Sequence, residues 1–419
     1  MFNTSAAQIH LAENSIKTAQ RKNITLKNLF FTFFKIGCVS FGGHMALVSL
    51  VQKMMVDKDE TLDNEVILDG ITIASLLPGP LAVNVVAYIG YHLKGKTGAV
   101  ISIVGVLLPA CTLMLVLSRI YFAFSYKVDW AQIMYYVGGA VSAIILSTGL
   151  HLFKKEISRN YKKGLLCIFT IVIVSLTNNY LITIGLIISG AFVGFLLGNN
   201  RYSPVSIANY FKSKGKFKIG PGASLVILLF AVSEFLFLSA MFKNFNSLIL
   251  KIGVVFSGIS LSLFGGGYVM IPIMQSLFVN NLRWLTNQQF IDSIAFSQAT
   301  PGPILVSATF IGYKLAGVGG AVLATAAMFA PSAILMVIVR IFKKNKDHTV
   351  VKDMIAGVKA VVIGLIISSA VKILFQQHLS VSIVVVAVAS FILCFKYKIS
   401  PVYLIIASIS IGTIANFLI

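Results

Sequence analysis

Leu77-Pro78-Gly79-Pro80-Leu81-Ala82-Val83-Asn84 sits inside an otherwise apolar stretch that begins at Asp69 and ends at Tyr91. Two prolines flanking a glycine cannot continue a helix, because each removes a backbone donor and crowds the preceding turn. The chain repeats this stretch. Pro301-Gly302-Pro303 answers Pro78-Gly79-Pro80, and Asp292 answers Asp69 at the same offset. Upstream, Phe41-Gly42-Gly43 is answered by Phe264-Gly265-Gly266, again at that offset. Downstream a single deletion shortens it by one: Ile89-Gly90-Tyr91 pairs with Ile311-Gly312-Tyr313, Gly95 with Gly317, and Pro109 with Pro331. A period this long and regular marks a duplicated unit.

The medium around these repeats follows from composition. Hydrophobic residues make up 57% of the chain and charged residues 11%. With a mean hydropathy of +0.91, this describes a membrane protein rather than a soluble one. The apolar runs are continuous rather than alternating, which selects helices over a transmembrane barrel. The expected fold is an all-α polytopic membrane protein of about 13 spans, within a range of about 10 to 14, in two inverted-topology repeats with broken helices.

Helix 1 is expected over 26–51 with a break at Gly42-Gly43, and helix 2 over 66–91 with the Pro-Gly-Pro break. Helices 3 to 6 follow near 98–124, 131–153, 164–176 and 180–197. Helix 7 (223–242) has no counterpart. Helices 8 to 11 (248–279, 290–313, 317–342, 354–375) repeat helices 1 to 4, and two more close the chain. The domain plan is a cytoplasmic lead-in at 1–25, a first repeat at 26–198, a basic linker at 199–222, and a second repeat at 223–419.

Net charge is +21, yet its placement argues against nucleic acid. Lys and Arg cluster in short loops, such as Lys154, Lys155, Arg159, Lys162 and Lys163, which is the usual mark of cytoplasmic loops; anionic lipid is a second use for them. With the N-terminus inside, these loops, Lys94 and Lys96 all fall inside, and the acidic 57–65 loop falls outside. Seven spans separate helix 1 from helix 8, so the repeats would be inverted. The four cysteines lie in apolar runs without metal-ligand spacing. No Walker motif, zinc pattern or nucleophile elbow is present, so neither an enzyme nor a cofactor is expected.

A broken helix at membrane depth is tolerated where it is buried in protein or lines a wet cavity. It leaves backbone N–H groups and the positive end of a half-helix dipole, which suit an anion. The alternative is a plain kink. Around Pro78, Gly79, Pro80, Pro301, Gly302 and Pro303, the candidate substrate-binding residues are Lys35, Ser40, Gly42, Gly43, Asn84, Ser262, Gly265, Gly266, Gln298 and Thr300. The glycine pairs serve either unwinding or close helix packing. Lys35 either faces an anion or reaches to the interface. Asp69, Asp292 and Glu234 are candidate proton carriers, with helix capping as the alternative for the two aspartates.

These residues resemble the chromate ion transporter (CHR) family in its long, two-domain form. The resemblance rests on Phe34-Lys35-Ile36-Gly37 leading to Ser40-Phe41-Gly42-Gly43-His44, and on Leu77-Pro78-Gly79-Pro80 with Asn84 and Ala87-Tyr88-Ile89-Gly90-Tyr91. In the second half it rests on Phe264-Gly265-Gly266-Gly267, on Gln298-Ala299-Thr300-Pro301-Gly302-Pro303, and on Phe310-Ile311-Gly312-Tyr313. His44 departs from the proline often found there, while Lys35 keeps the basic character common at its place. The resemblance implies chromate efflux across the inner membrane, driven by the proton-motive force and giving chromate resistance. Sulfate or another oxyanion is the rival substrate, and a channel or membrane scaffold the rival class. The expected partners are the oxyanion and the lipid bilayer, with a homodimer left open.

Overall fold

The computed structural model describes residues 25–41, 44–59, 61–124, 130–157, 160–177, 180–198, 247–263, 267–342, 349–377 and 380–418. These residues are helical almost throughout, and no strand occurs among them. The first repeat begins with α1 (Leu26–Val39), α2 (His44–Gln52) and a π-helical turn (Lys53–Lys58). Next come α3 (Asn64–Leu76) and α4 (Leu81–Ala123), a short α5 (Trp130–Ile133), α6 (Tyr135–Glu156), α7 (Tyr161–Leu176) and α8 (Tyr180–Gly198). The second repeat has α9 (Leu248–Leu261), a 3-10 turn (Gly267–Val269), α10 (Met270–Met274) and a π-helical segment (Gln275–Asn281). It continues with α11 (Asn287–Ala299), a second 3-10 turn (Ile304–Val306) and α12 (Ser307–Phe342). The last three are α13 (Thr349–Phe375), α14 (Val381–Phe395) and α15 (Pro401–Leu418).

The Pro-Gly-Pro breaks are hairpin tips. A Cβ placed on Gly70 would come within 2.9 Å of the Tyr88 ring, although the two residues lie on opposite sides of the break. In a rod with a mere kink they would be more than about 20 Å apart at 1.5 Å per residue. The second repeat does the same: Lys314 Nζ donates to Gln289 Oε1 across the Pro301-Gly302-Pro303 break. Each 13-residue inbound arm, α3 and α11, reaches about 20 Å, short of the roughly 30 Å hydrocarbon core. The chain therefore dips in and returns to the face it left. The described arms on either side of residues 264–266 also lie against each other, since the rings of Phe256 and Phe278 meet at 5.2 Å.

Each return arm folds sharply again before the next span. Lys94 (φ −139°, ψ 24°) and Gly95 (φ 63°, ψ −150°) interrupt α4. Ala316 (φ −148°, ψ 33°) and Gly317 (φ 60°, ψ −148°) interrupt α12 in nearly the same geometry. Glycine is the residue that takes this positive φ without strain. Past the turn, Gly90 packs on the Gly98 carbonyl and Gly312 on the Gly320 carbonyl, so the missing side chains let the two arms touch backbone to backbone.

The repeats are inverted, and side chains show it. Residues 96–123 leave the face shared by Asn64 and Lys94; at their far end the Tyr121 hydroxyl donates to Asp292 Oδ2 at 2.7 Å. Asp292 lies on the inbound arm α11, before its tip, so the second hairpin comes from the opposite face. The surrounding helices agree. Lys359 of α13 pairs with Glu156 at the end of α6 at 3.2 Å, whereas Tyr135 at the start of α6 bonds Ser380, beyond the other end of α13.

The expectation of an all-α polytopic membrane protein with inverted repeats and broken helices holds. Helices 1, 2, 8 and 9 are paired half-helices rather than single rods, and helix 7 lies outside the described residues, as does the 199–222 linker. One expectation is corrected. Hydropathy puts the acidic 57–65 loop on the face opposite Lys94 and Lys96, but the Pro-Gly-Pro tip returns the chain, so they share one face.

Candidate functional site

The tips of the two hairpins line one cavity, and each is tied to the segment before the glycine-rich break of the opposite repeat. The Gly79 N–H donates to the Leu263 carbonyl at 2.8 Å, and the Gly302 N–H donates to the Ser40 carbonyl at 2.8 Å. Leu263 is the counterpart of Ser40 in the duplicated register, so this is one bond made twice. Gly79 has φ 108° and Gly302 φ 116°, values that side-chain-bearing residues rarely adopt. A Cβ on Gly302 would also lie 2.8 Å from Ala110 Cβ on the 96–123 arm.

With the glycine amides engaged, the unused donors lie one turn on. Pro80 is the N-cap of α4 and Pro303 that of the 3-10 turn leading into α12. The first N–H groups of a helix have no acceptor within it. Among the described residues, the first carbonyl bonds in these two turns come from Asn84 N–H to Pro80 and Val306 N–H to Pro303. The amides of Leu81, Ala82, Ile304 and Leu305 thus have no backbone acceptor among the described residues. All four residues line one small cavity, together with Pro80, Pro303, Gly267 and Tyr268. Two half-helix N-termini from opposite repeats therefore share one space. A second cavity adjoins it across Tyr268 and Ile304 and is lined by Ser297, Gln298, Thr300, Gly302 and Pro401.

Gln298 is 8% exposed, and neither its Nε2 nor its Oε1 has a hydrogen-bond partner among the described residues. An amide buried this way costs on the order of 1–3 kcal/mol if left unsatisfied, which marks a place that something else occupies. Asn84 is fully buried; its Nδ2 donates to the Pro78 carbonyl at 3.2 Å and braces its own tip, while its Oδ1 is unpartnered. The hydroxyls of Ser40, Ser260 and Ser307 are buried and likewise have no partner among the described residues. Thr300 Oγ1 donates to the Ser297 carbonyl and Ser262 Oγ to the Gly258 carbonyl, so both donate within their own segments.

Other candidates sit elsewhere. Lys35 is on the exposed side of α1 and lines neither cavity. Gly42, Gly43, Gly265, Gly266 and Glu234 lie outside the described residues. Asp69 is exposed within α3. Asp292 is fully buried within α11 and accepts from Tyr121 and, at 2.8 Å, from Gln288 Nε2. The capping alternative for these two aspartates is overturned, because Asp63 and Thr286 occupy the N-cap positions.

Sequence reasoning misses Tyr268, which lines both cavities. Its counterpart in the first repeat is Met45, so a search for matched polar residues does not find it. Tyr121 escapes for a related reason: its partner Asp292 is 171 residues away.

An all-helical, multi-pass membrane protein with re-entrant hairpins meeting at mid-depth is the class that this architecture defines. The sequence pattern of the chromate transporter family matches residues 27–195 and 250–413, two stretches whose starts are offset just as the paired motifs are. The chain belongs to that family. It is 27% identical to a chromate transport protein of Cupriavidus metallidurans over 96% of both chains. It is also 27% identical to an uncharacterized transporter of Methanocaldococcus jannaschii, over 94% of this chain and 96% of that one. An uncharacterized transporter of Bacillus subtilis is 33% identical over 155 residues, 36% of this chain and 86% of that protein. No solved structure matches.

Proposed function

We propose that the chain is a secondary transporter that exports chromate across the cytoplasmic membrane, uses the proton-motive force, and thereby confers chromate resistance. The observation that carries this reading is that Leu81, Ala82, Ile304 and Leu305, whose amides have no backbone acceptor among the described residues, line one small cavity at two half-helix N-termini of opposite repeats. Such amides hold an oxyanion through partial positive charge without a cationic side chain. Inverted repeats supply two related conformations, one open to each face, as alternating access requires. The names of the relatives in Cupriavidus metallidurans and Synechococcus elongatus, a chromate transport protein and a probable one, point to the same substrate.

In this reading the anion lies between the Pro-Gly-Pro tips, with Gln298 and Thr300 beside it. Ser40 and Asn84 hold the tips in place. Asp292 is the proton carrier: it is buried and hydrogen-bonded through both oxygens, and it sits on the arm that ends at the site. The face bearing Lys94, Lys96, Lys154 and Lys155 is cytoplasmic, following the positive-inside rule, and the N-terminus lies on that side. Radiolabelled chromate uptake into everted vesicles tests the proposal. Uptake in energised vesicles that collapses with the proton gradient is expected; absence of uptake in energised vesicles rejects it.

A further inference from the structure

Resting on the oxyanion site proposed above, we propose that the site selects the singly protonated monoanion of its substrate, and that the Gln298 side-chain oxygen reads the anion's O–H. Two independent observations lead there. First, none of the described residues lining either cavity carries a charge. The cost of moving an ion out of water rises with the square of its charge, so a dianion suffers about four times the desolvation of a monoanion in such a place. Backbone amides offset one negative charge far more readily than two.

Second, Gln298 presents two groups without a partner among the described residues, a donor at Nε2 and an acceptor at Oε1. A fully deprotonated oxyanion has only acceptors. It can satisfy Nε2, but it leaves Oε1 buried and facing like partial charge. A hydrogen oxyanion brings one O–H and satisfies both atoms at once. A lysine or arginine at this place would accept any dianion, whereas an amide requires the proton.

This distinction separates substrates of one shape. Sulfate and selenate remain dianions throughout the neutral range, whereas chromate takes up its proton in the mildly acid range. A site built to hydrogen-bond an O–H rejects the analogue lacking it much more strongly than a pocket that senses size alone. Among the described residues, the ionisable groups nearest Gln298 are Tyr268, which lines the same cavity, and Asp292, earlier on α11 and bonded to Tyr121 of α4. The side chain of His44 is not among those described. A titrating protein group would keep the pH slope of chromate binding in Gln298→Leu, so the flattening of that slope isolates the anion's own proton.

The test is calorimetric binding of chromate, sulfate and selenate to the purified full-length chain in lipid nanodiscs, from about pH 5.5 to 8.5. The expected result is an apparent chromate affinity that weakens about tenfold per pH unit above chromate's own dissociation. Sulfate and selenate show no measurable binding anywhere in the range. In Gln298→Leu, chromate binding weakens on the order of a hundredfold and its pH slope flattens. Chromate affinity independent of pH overturns the inference and leaves the transporter reading intact. So does a pH slope shared by sulfate. No chromate binding at any pH, together with no uptake in vesicles, rejects the transporter reading itself and this inference with it.

Discussion

The two Pro-Gly-Pro hairpins share a backbone and differ in what they bury. Both tips hold glycine at a φ of 108° or more, both donate one N–H to the opposite repeat, and both return arms bend at a glycine, with φ 63° and 60°. The side chains diverge. Asp69 is exposed where Asp292 is sealed between Tyr121 and Gln288. Ser75 bonds its own helix, whereas its counterpart Gln298 is buried without a partner. Asn84 braces the first tip, and Ser307 at the matching place makes no such bond. Duplication preserved the scaffold, and the second copy carries most of the polar side chains at the cavity. A symmetric frame with an asymmetric interior is what a carrier needs to distinguish its two faces.

The strongest way to break the comparison is at the shared glycines. Gly79→Val and Gly302→Val each force a β-branched residue into a left-handed conformation, at a cost on the order of 3 kcal/mol. Transport should fall by about a hundredfold or more in both, with the protein still found in membranes by immunoblot. Normal uptake in both variants would reduce the tips to kinks. The aspartates should then separate the copies. Asp292→Asn keeps the shape and the Tyr121 contact but cannot release a proton, and should cut gradient-driven uptake at least about tenfold. Asp69→Asn should stay within about twofold of the parent protein, as expected for an exposed group. Equal losses would mean that burial is not what distinguishes them.

Smaller effects sharpen the same contrast. Asn84→Ala removes the brace to the Pro78 carbonyl and should lower stability by about 1–2 kcal/mol. Ser307→Ala deletes an unpartnered hydroxyl and should change stability by less than about 0.5 kcal/mol; thermal unfolding in nanodiscs reads both. The second hairpin also starts with a capping box, in which Thr286 Oγ1 accepts from Gln289 N–H and Gln289 Oε1 accepts from Thr286 N–H. The first hairpin has no side-chain cap bond at Asp63. Thr286→Ala should cost about 1 kcal/mol, visible as faster hydrogen exchange at the start of α11.

Much of this was legible in the residues. The duplication, the membrane setting and the inversion all followed from motif spacing and hydropathy. The fold-back did not, because two short apolar arms on either side of a break read as one span-length run. Only the packing of Gly70 on Tyr88 and of Lys314 on Gln289 distinguishes a hairpin from a kinked rod. Likewise the spacing that paired Asp69 with Asp292 says nothing of burial, which depends on Tyr121 arriving from a distant helix. The amides of Leu81, Ala82, Ile304 and Leu305 were anticipated as a type of group, but their positions needed the glycine N–H bonds to be assigned first.

Those glycine bonds make the two repeats mutually dependent for closure. Neither half contains the acceptor for its own tip, since Gly79 needs Leu263 and Gly302 needs Ser40. A single repeat standing alone would leave a donor stranded at the depth where water is scarcest. A head-to-tail duplicate with both copies in the same orientation would bring each tip against the wrong partner. The unit that folds is therefore the antiparallel pair, and the covalent link between the halves fixes which two halves meet.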